Sequence, residues 1–482
     1  MAITDLAEVI IVGSGAGGAA AAYGLARTGV RVLLLEKGAP LPRDGSTLDD
    51  AVVVGAGHFL SREAWRDGKG RPICPEEHFN VGGKTKWYGA ALLRYSAAEF
   101  ASDPSYAVPG WPIAIGELTP YYQEAEALLG VRTFETEPAL KRILDALTRH
   151  DAGWKSQPLP MALAPQILDN SLEARHFDGF ASIADLKGEA ESRLLNHLAA
   201  LPDFTLRAQA EVVALLPAAD GRGVGGVRLA DGEELHAPRV ILAAGTLHSP
   251  RLLARYVSGR PGFHAVGRNL KKHVLTALVA VTLWRPGDVL RKTQLTTHAA
   301  YPHSSVQPLG FGSDLIALLV PRYVPRFLAR IIGRHAYGFF LQTEDGAHPD
   351  NRVFERATGA SDDTPVRVMD YDVSRTPASR AEHKAFTRKL RIALLRIGMI
   401  SFTQPVGLNG TAHVSGTLAA GADAGTAVVD RNGAVFGIEG LYVADGSILP
   451  RSSRVNPSLS IYAWGLRLAA HLTARIAAER AS

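Results

Sequence analysis

The sequence predicts an α/β protein built around a Rossmann-type dinucleotide unit, with domains assembled from discontinuous segments. Two observations carry this. Residues 9–36 run strand, glycine loop, helix, strand, which is the opening of a dinucleotide-binding unit. Short buried strands of the same kind recur at residues 239–245 and 440–444, so the nucleotide-type pieces lie at the start, the middle and the end of the chain.

Each element has its own signal. Residues 9–12 (VIIV) are a continuous apolar run, as a buried strand requires. Residues 16–28 are small and alanine-rich, which predicts a helix, and Gly29 suits its end. Residues 30–35 (VRVLLL) predict the second strand. A helix is expected within 111–130, after Thr119 and Pro120. Residues 205–235 alternate strand patterns with a glycine-rich turn near Gly221 to Gly226. Residues 274–284 predict one long strand, 351–372 a strand-rich stretch, 378–397 a charged amphipathic helix and 457–478 a terminal helix. No internal repeat or long low-complexity tract interrupts them.

The totals bound the function. A chain of 482 residues suggests two or three domains with ample core. Lys+Arg 52 against Asp+Glu 47 leaves a formal charge of +5. No dense basic block with interleaved aromatics occurs, which argues against nucleic-acid binding. The weak positive field leaves room for anionic substrates or contact with a membrane surface. A single cysteine, Cys74, excludes an intramolecular disulfide and a cysteine metal cluster, and no metal site is expected. The start of the chain lacks the pattern of a signal peptide. No uncharged run reaches the ~18–20 apolar residues of a spanning helix. A soluble, cytoplasmic protein is therefore expected.

Gly13, Gly15 and Gly18 form GxGxxG between strand and helix. Gly13 permits the tight turn, Gly15 lets the backbone approach a pyrophosphate, and Gly18 lets helix and strand pack closely. The pyrophosphate would sit at the helix N-terminus, where free N–H groups favour an anion. Glu36 ends the second strand, where a carboxylate can accept from both ribose hydroxyls. This disfavours NADP, but it does not separate FAD from NAD.

Five segments together resemble the glucose–methanol–choline (GMC) oxidoreductases, FAD enzymes acting mostly on alcohols. They are the Gly13–Glu36 unit, VGGKTKWYGAALLR (81–94), RVILAAGTLHSP (239–250), VGRNLKKH (266–273), and the stretch from His413 through GLYVADGSILPRSSRVNPSLS. WPI (111–113), PYY (120–122) and PDNRV (349–353) look like segments of the bacterial sugar- and polyol-oxidising members. The resemblance implies FAD, expected to be non-covalent because Trp87 replaces the linking histidine of some members. Besides the glycine loop and Glu36, it implies contacts from Gly82, Gly83, Thr85, Tyr88 and Gly89 of the flavin loop, and from Val212 near the adenine. It adds Asp445 and Gly446, with Asn456 and Pro457 at the terminal helix. It also implies an FAD domain over 1–100, 195–275 and 405–482. A substrate domain over 101–194 and 276–404 would lay a mainly antiparallel sheet across the flavin.

The catalytic pair implied by the resemblance is His413 and Asn456. Alcohol oxidation must remove a hydroxyl proton while a hydride leaves for the flavin. Imidazole titrates near working pH and can act as base. An amide can hold the substrate oxygen. Asn456-Pro457 also reads as a helix cap followed by the first helical residue. The substrate is expected to be a small-molecule alcohol such as a sugar, polyol or other primary or secondary alcohol, with oxygen, a quinone or another acceptor taking the electrons. A dehydrogenase is slightly favoured over an oxidase. The rival readings are a flavin-containing lyase of the same fold, an inactive binding protein and an NAD-dependent dehydrogenase.

Two departures from the family pattern stand out. Leu418-Ala419-Ala420-Gly421 follows Gly416-Thr417, where the family often has a Cys/Arg-Met-Gly run. Trp87 stands where some members carry the histidine that links FAD. Among other residues, His273 reads as structural and Cys74 as unreactive. Glu344 and Asp345 read as cavity-lining or as a solvated turn. Arg322, Arg326, Arg330 and Arg334 read as the solvated face of an amphipathic helix, with a membrane-surface or lid segment as the alternative.

Overall fold

The computed structural model describes residues 7–318, 324–357 and 365–482. Its centre is a five-stranded parallel sheet in the order Leu441–Val443, Val240–Leu242, Val9–Val12, Val32–Leu35, Phe204–Arg207. Ile10 lies between Val240 and Leu33. The first four strands are buried at every position, as a parallel sheet covered on both faces demands.

Two helices pack along one another beside this sheet. Ala16–Ala26 follows the first strand, and Ser458–Ala481 ends the chain. Their contact is made of backbone and small side chains. A Cβ on Gly17 would lie 1.3 Å from the Ala444 carbonyl oxygen, and one on Gly465 would lie 2.5 Å from that of Gly17. A Cβ on Gly24 would lie 2.5 Å from that of Ala469.

A six-stranded antiparallel sheet forms the second layer. Its order is Ile400–Pro405, Val274–Val281, Ala336–Thr343, Ser304–Pro308, Gln294–His298, Trp154–Pro158. The helix Pro377–Arg396 buries Phe386, Leu390 and Leu394 in one cluster with Leu278, Tyr337 and Phe339 of the sheet. A four-stranded sheet joins Trp65–Asp67 and Pro72–Ile73 to Arg352–Arg356 and Val366–Asp370. Val212–Pro217, Val224–Leu229 and Glu234–His236 make a three-stranded antiparallel sheet.

Two helix starts differ from expectation. The helix expected after Pro120 begins at Ile115 and encloses that proline. Glu117 fixes the earlier start, because its carboxylate accepts the Ala114 backbone N–H at 3.1 Å. The terminal helix begins at Ser458 with Pro457 as its cap residue, and Asn456 makes no capping hydrogen bond. The Asn456 side chain is instead spent on the cavity described below.

The glycine seam yields a stability prediction. Gly17→Ala should cost the upper end of the ~1–3 kcal/mol typical of overpacking, or more, because the clashing atom is backbone. Gly116→Ala, at an exposed helical site with nothing within 4 Å of the new Cβ, should be neutral or gain up to about 1 kcal/mol. Urea denaturation of the two variants checks this; equal midpoints would refute it.

Candidate active site

One cavity of about 810 Å³ runs between the two layers, at the upper end of the ~300–1,000 Å³ of ligand sites. Gly13, Gly15 and Glu36 line one part of it. Gly83, Thr85, Tyr88, Gly89, Val212, Asp445 and Gly446 also line it, as do His413, Asn456 and Pro457. Gly18 and Gly82 lie behind this lining and act through packing.

The glycine loop is shaped for close approach. Gly13 has φ +104°, and its Cβ would lie 2.4 Å from the Ala243 carbonyl oxygen. A Cβ on Gly18 would lie 1.9 Å from that of Gly13. Gly15 has nothing within 4 Å on the side where a Cβ would point. A bare backbone facing open space at a helix N-terminus fits a pyrophosphate. Gly83, at φ +54°, sits against it, with its Cβ position 3.2 Å from Gly15 Cα.

Carboxylates tie these turns together. Glu36 accepts from the Ser14 N–H at 3.0 Å, the Ser14 hydroxyl at 2.5 Å and the Gly38 N–H at 2.9 Å. The Gly82 N–H in turn donates to the Ser14 hydroxyl at 3.0 Å. Burial pushes the Glu36 carboxyl up, against the pull of these donors. Oε2 is filled by the two Ser14 donors, but Oε1 accepts only from Gly38 and has capacity for a further donor, so a ribose hydroxyl still fits there. Asp445 accepts from the N–H groups of Gly245 and Ser447, each at 2.8 Å, and from the hydroxyls of Ser249 and Ser447. That carboxylate joins two cavity turns.

The flavin loop is fixed from behind. Thr85 donates to the Gly82 carbonyl at 2.6 Å, and Tyr88 donates to that of Gly188. Gly89 is required by its neighbours, since a Cβ there would lie 2.2 Å from Asp178 Oδ1 and 2.3 Å from Lys292 Nζ. Trp87 donates its indole N–H to Asn80 at 2.9 Å and stacks on His78, with ring centroids 4.6 Å apart.

His413 and Asn456 meet, with Nε2 and Nδ2 3.4 Å apart. Hydrogen-bond partners assign their orientation. Gln307 Nε2 donates to Asn456 Oδ1 at 2.5 Å, which turns the Asn456 NH2 toward His413. His273 Nε2 faces the carbonyls of Ser452 and Ser453, each at 2.8 Å. Carbonyls only accept, so His273 carries its proton on Nε2. Its Nδ1 then accepts from His413 Nδ1, 3.0 Å away. The proton on His413 is thereby held at Nδ1, and Nε2 keeps its lone pair toward the cavity. Burial pushes His413 well below the usual histidine range, helped by His273 and by the cations Lys292, Lys84 and Lys272. Burial lowers His273 as well.

Several sequence readings need correction. His273 does more than fill the core, because it orders the imidazole of His413. Glu344 and Asp345 neither line the cavity nor form a solvated turn. Glu344 is buried against Arg451 at 2.7 Å and His303 at 2.9 Å. Asp345 is buried and accepts from Thr376 at 2.8 Å and Tyr371 at 2.9 Å. Gln307, Lys292 and Asp178 carry no local signal in the sequence, because Gln307 reaches the site from a strand of the second sheet and Lys292 and Asp178 from non-strand segments that meet it only in the folded chain. Lys292 and Asp178 pair at 2.8 Å inside the cavity wall. The departing Leu418–Gly421 run folds onto Ser447 and Ile448 through backbone bonds of 2.9 and 2.8 Å. Cys74 is exposed, its thiol 3.3 Å from the Ser61 carbonyl.

A dinucleotide cradle opening onto a half-buried histidine–amide pair is the site of a dinucleotide-dependent oxidoreductase. Comparison with known proteins gives the family. Residues 359–465 match the model described as GMC oxidoreductase, and residues 11–41 match that of an NAD(P)-binding Rossmann-like domain. The chain is 30% identical to the 6'''-hydroxyparomomycin C oxidase of Streptomyces lividus, over 98% of this chain and 93% of that protein. It is also 30% identical to the paromamine 6'-oxidase of Streptomyces fradiae, over 96% of this chain and 90% of that protein. The fold matches the crystal structure of pyridoxine 4-oxidase from Mesorbium loti, with TM-score 0.68 and 18% identity over 97% of this chain and 99% of that one. The chain belongs to the GMC oxidoreductases, and it is an FAD-dependent oxidoreductase of alcohols. Among the described residues no helix is long and apolar enough to cross a membrane.

Proposed function

We propose that this enzyme oxidises a primary or secondary alcohol of a sugar-like or polyol molecule, with His413 as base and Asn456 as the group that holds the oxygen. The carrying observation is the single cavity in which the dinucleotide cradle and the His413–Asn456 pair share one space. The sugar-like substrate is supported by the aminosugar compounds in the names of the two Streptomyces relatives and by the polar wall of Gln307, Lys292 and Asp178. When bound, FAD supplies the hydride acceptor. The cradle residues would hold its pyrophosphate and ribose, and the 83–89 loop and the Ser458 helix start would face its ring. His413 Nε2 takes the hydroxyl proton, and the Asn456 NH2 donates to the same oxygen. The depressed basicity of His413 keeps Nε2 free of a proton at neutral pH. Oxidation rather than non-redox lyase chemistry is supported by the oxidase names of the two Streptomyces relatives.

His413→Ala should slow anaerobic reduction of the flavin by substrate by ~10²–10⁴-fold while the purified protein stays yellow. The wild-type reduction rate should stay flat as pH falls through about 6.5, where an ordinary histidine protonates. His413 is lowered, so its inactivating protonation occurs only at more acidic pH. Stopped-flow absorbance measures both. Near wild-type reduction in His413→Ala, or a rate that drops around neutral pH, would defeat the mechanism.

The FAD is held without a covalent bond, a reading that rests on Trp87 at the linking position. Acid precipitation should leave FAD in the supernatant. Colour kept in the pellet would reject this, and His78, stacked on Trp87, would become the first residue to test.

Electrons leave preferentially to a dye or quinone rather than to oxygen. This reading draws on the basic stripe of Arg326, Arg330 and Arg334, whose fourth member Arg322 lies outside the described residues, and stands against the oxidase names of the two relatives. Steady-state rates with oxygen and with an artificial dye decide it. Stoichiometric, rapid peroxide formation would make the enzyme an oxidase.

A further inference from the structure

Eight of the eleven large apolar side chains that are exposed among the described residues lie in four segments. Leu283 is 96% exposed in the turn after the Val274–Val281 strand. Phe327, Leu328 and Ile331 are exposed on the helix Arg326–Arg334. Ile392 and Leu395 lie near the end of the helix Pro377–Arg396, and Ile400 and Phe402 on the strand that follows.

The sheet brings these segments to one end of the second layer. Val281 pairs with Ala336 on one side and with Ile400 on the other. The Thr282 N–H donates to the His335 carbonyl at 2.8 Å, and Arg285 Nε lies 3.3 Å from His335 Nε2. The end of the 326–334 helix is therefore two strand spacings, ~10 Å, from Ile400. The backbone N–H of Met399 returns to the Leu394 carbonyl at 2.9 Å, which sets the end of the long helix beside Ile400.

The charge on these segments has one sign. Arg285, Arg326, Arg330 and Arg334 are exposed, and so are Arg388, Arg391 and Arg396. Residues 282–287, 324–335 and 388–402 contain no Asp or Glu. Isolated exposed apolar residues are ordinary, but a contiguous apolar patch marks an interaction surface. Apolar side chains rimmed by arginine match the boundary between acyl chains and anionic headgroups. A second copy of the chain fits poorly, since two-fold pairing would bring the arginines of one copy against those of the other.

We propose that this end of the protein docks on an anionic lipid bilayer, lying in the headgroup layer without spanning it. The surface adjoins the cavity wall. Gly333 lets the 326–334 helix sit on the Ser313 carbonyl, 2.2 Å from where a Cβ would be, and the nearby Leu309 and Phe311 line the cavity. A docked enzyme would thus hold its cavity beside the lipid.

Flotation of the FAD-loaded protein with vesicles tests this. One vesicle set is phosphatidylcholine with about one quarter phosphatidylglycerol, and the other is phosphatidylcholine alone. The protein should float with the anionic set at about 0.05 M salt, and at least about tenfold less at about 0.5 M salt or with the neutral set. Phe327→Ser with Ile331→Ser, and separately Arg330→Glu with Arg334→Glu, should each weaken binding at least about tenfold. Both pairs change exposed side chains, so flavin colour and melting temperature should hold. Arg27→Glu, an exposed change on the first helix, should bind as wild type. No flotation, equal flotation with neutral vesicles, or unchanged binding in both double variants overturns the proposal. So does a concentration-dependent dimer that Phe327→Ser with Ile331→Ser abolishes, which would assign the surface to a second copy.

Discussion

The site depends on one steric condition, the contact of bare backbone between the first helix, the Ala444 turn and the last helix. At Gly17 even a methyl group would overlap the Ala444 carbonyl. Ala444 adjoins Asp445 and Gly446, which line the cavity, and the last helix starts at Ser458, which lines it too. The pieces that face the cofactor are therefore set by the same contact that joins the beginning of the chain to its end. Interiors pack densely enough that such a contact leaves little freedom to either helix.

A second layer of order comes from carboxylates spent inside the protein. Glu36 and Asp445 are both buried, and burial raises both. Each is offset by donors from the turns it joins, Ser14 and Gly38 for one, Gly245, Ser249 and Ser447 for the other. Loss of one partner from such a network leaves buried donors unsatisfied at about 1–3 kcal/mol each. The cradle is thus stiff through side chains that the sequence presents only as ligand contacts.

Local signals showed the dinucleotide unit clearly, because strand, glycine and helix follow one another within 28 residues of chain. The parallel strands near 240 and 441 were legible for the same reason, as short apolar runs. His413 and Asn456 were legible only through resemblance, since an isolated histidine or an Asn-Pro step has common structural uses. The Asn-Pro step misled, because Gln307 claims the amide that capping would have used. His273 was misread for a related reason. A histidine 140 residues from its partner carries no local mark of the contact, which exists only once the Val274 strand and the 411–415 segment converge on the cavity.

The chain of hydrogen bonds behind His413 ends on two peptide carbonyls. Those of Ser452 and Ser453 accept the His273 proton but have none to pass on. The relay is a stop rather than a wire: a proton taken at His413 Nε2 has no exit through the protein interior by this path. It must leave from the face on which it arrived. Deprotonation of the enzyme after each turnover is then coupled to emptying and rehydration of the cavity, so a product that lingers also keeps the base occupied.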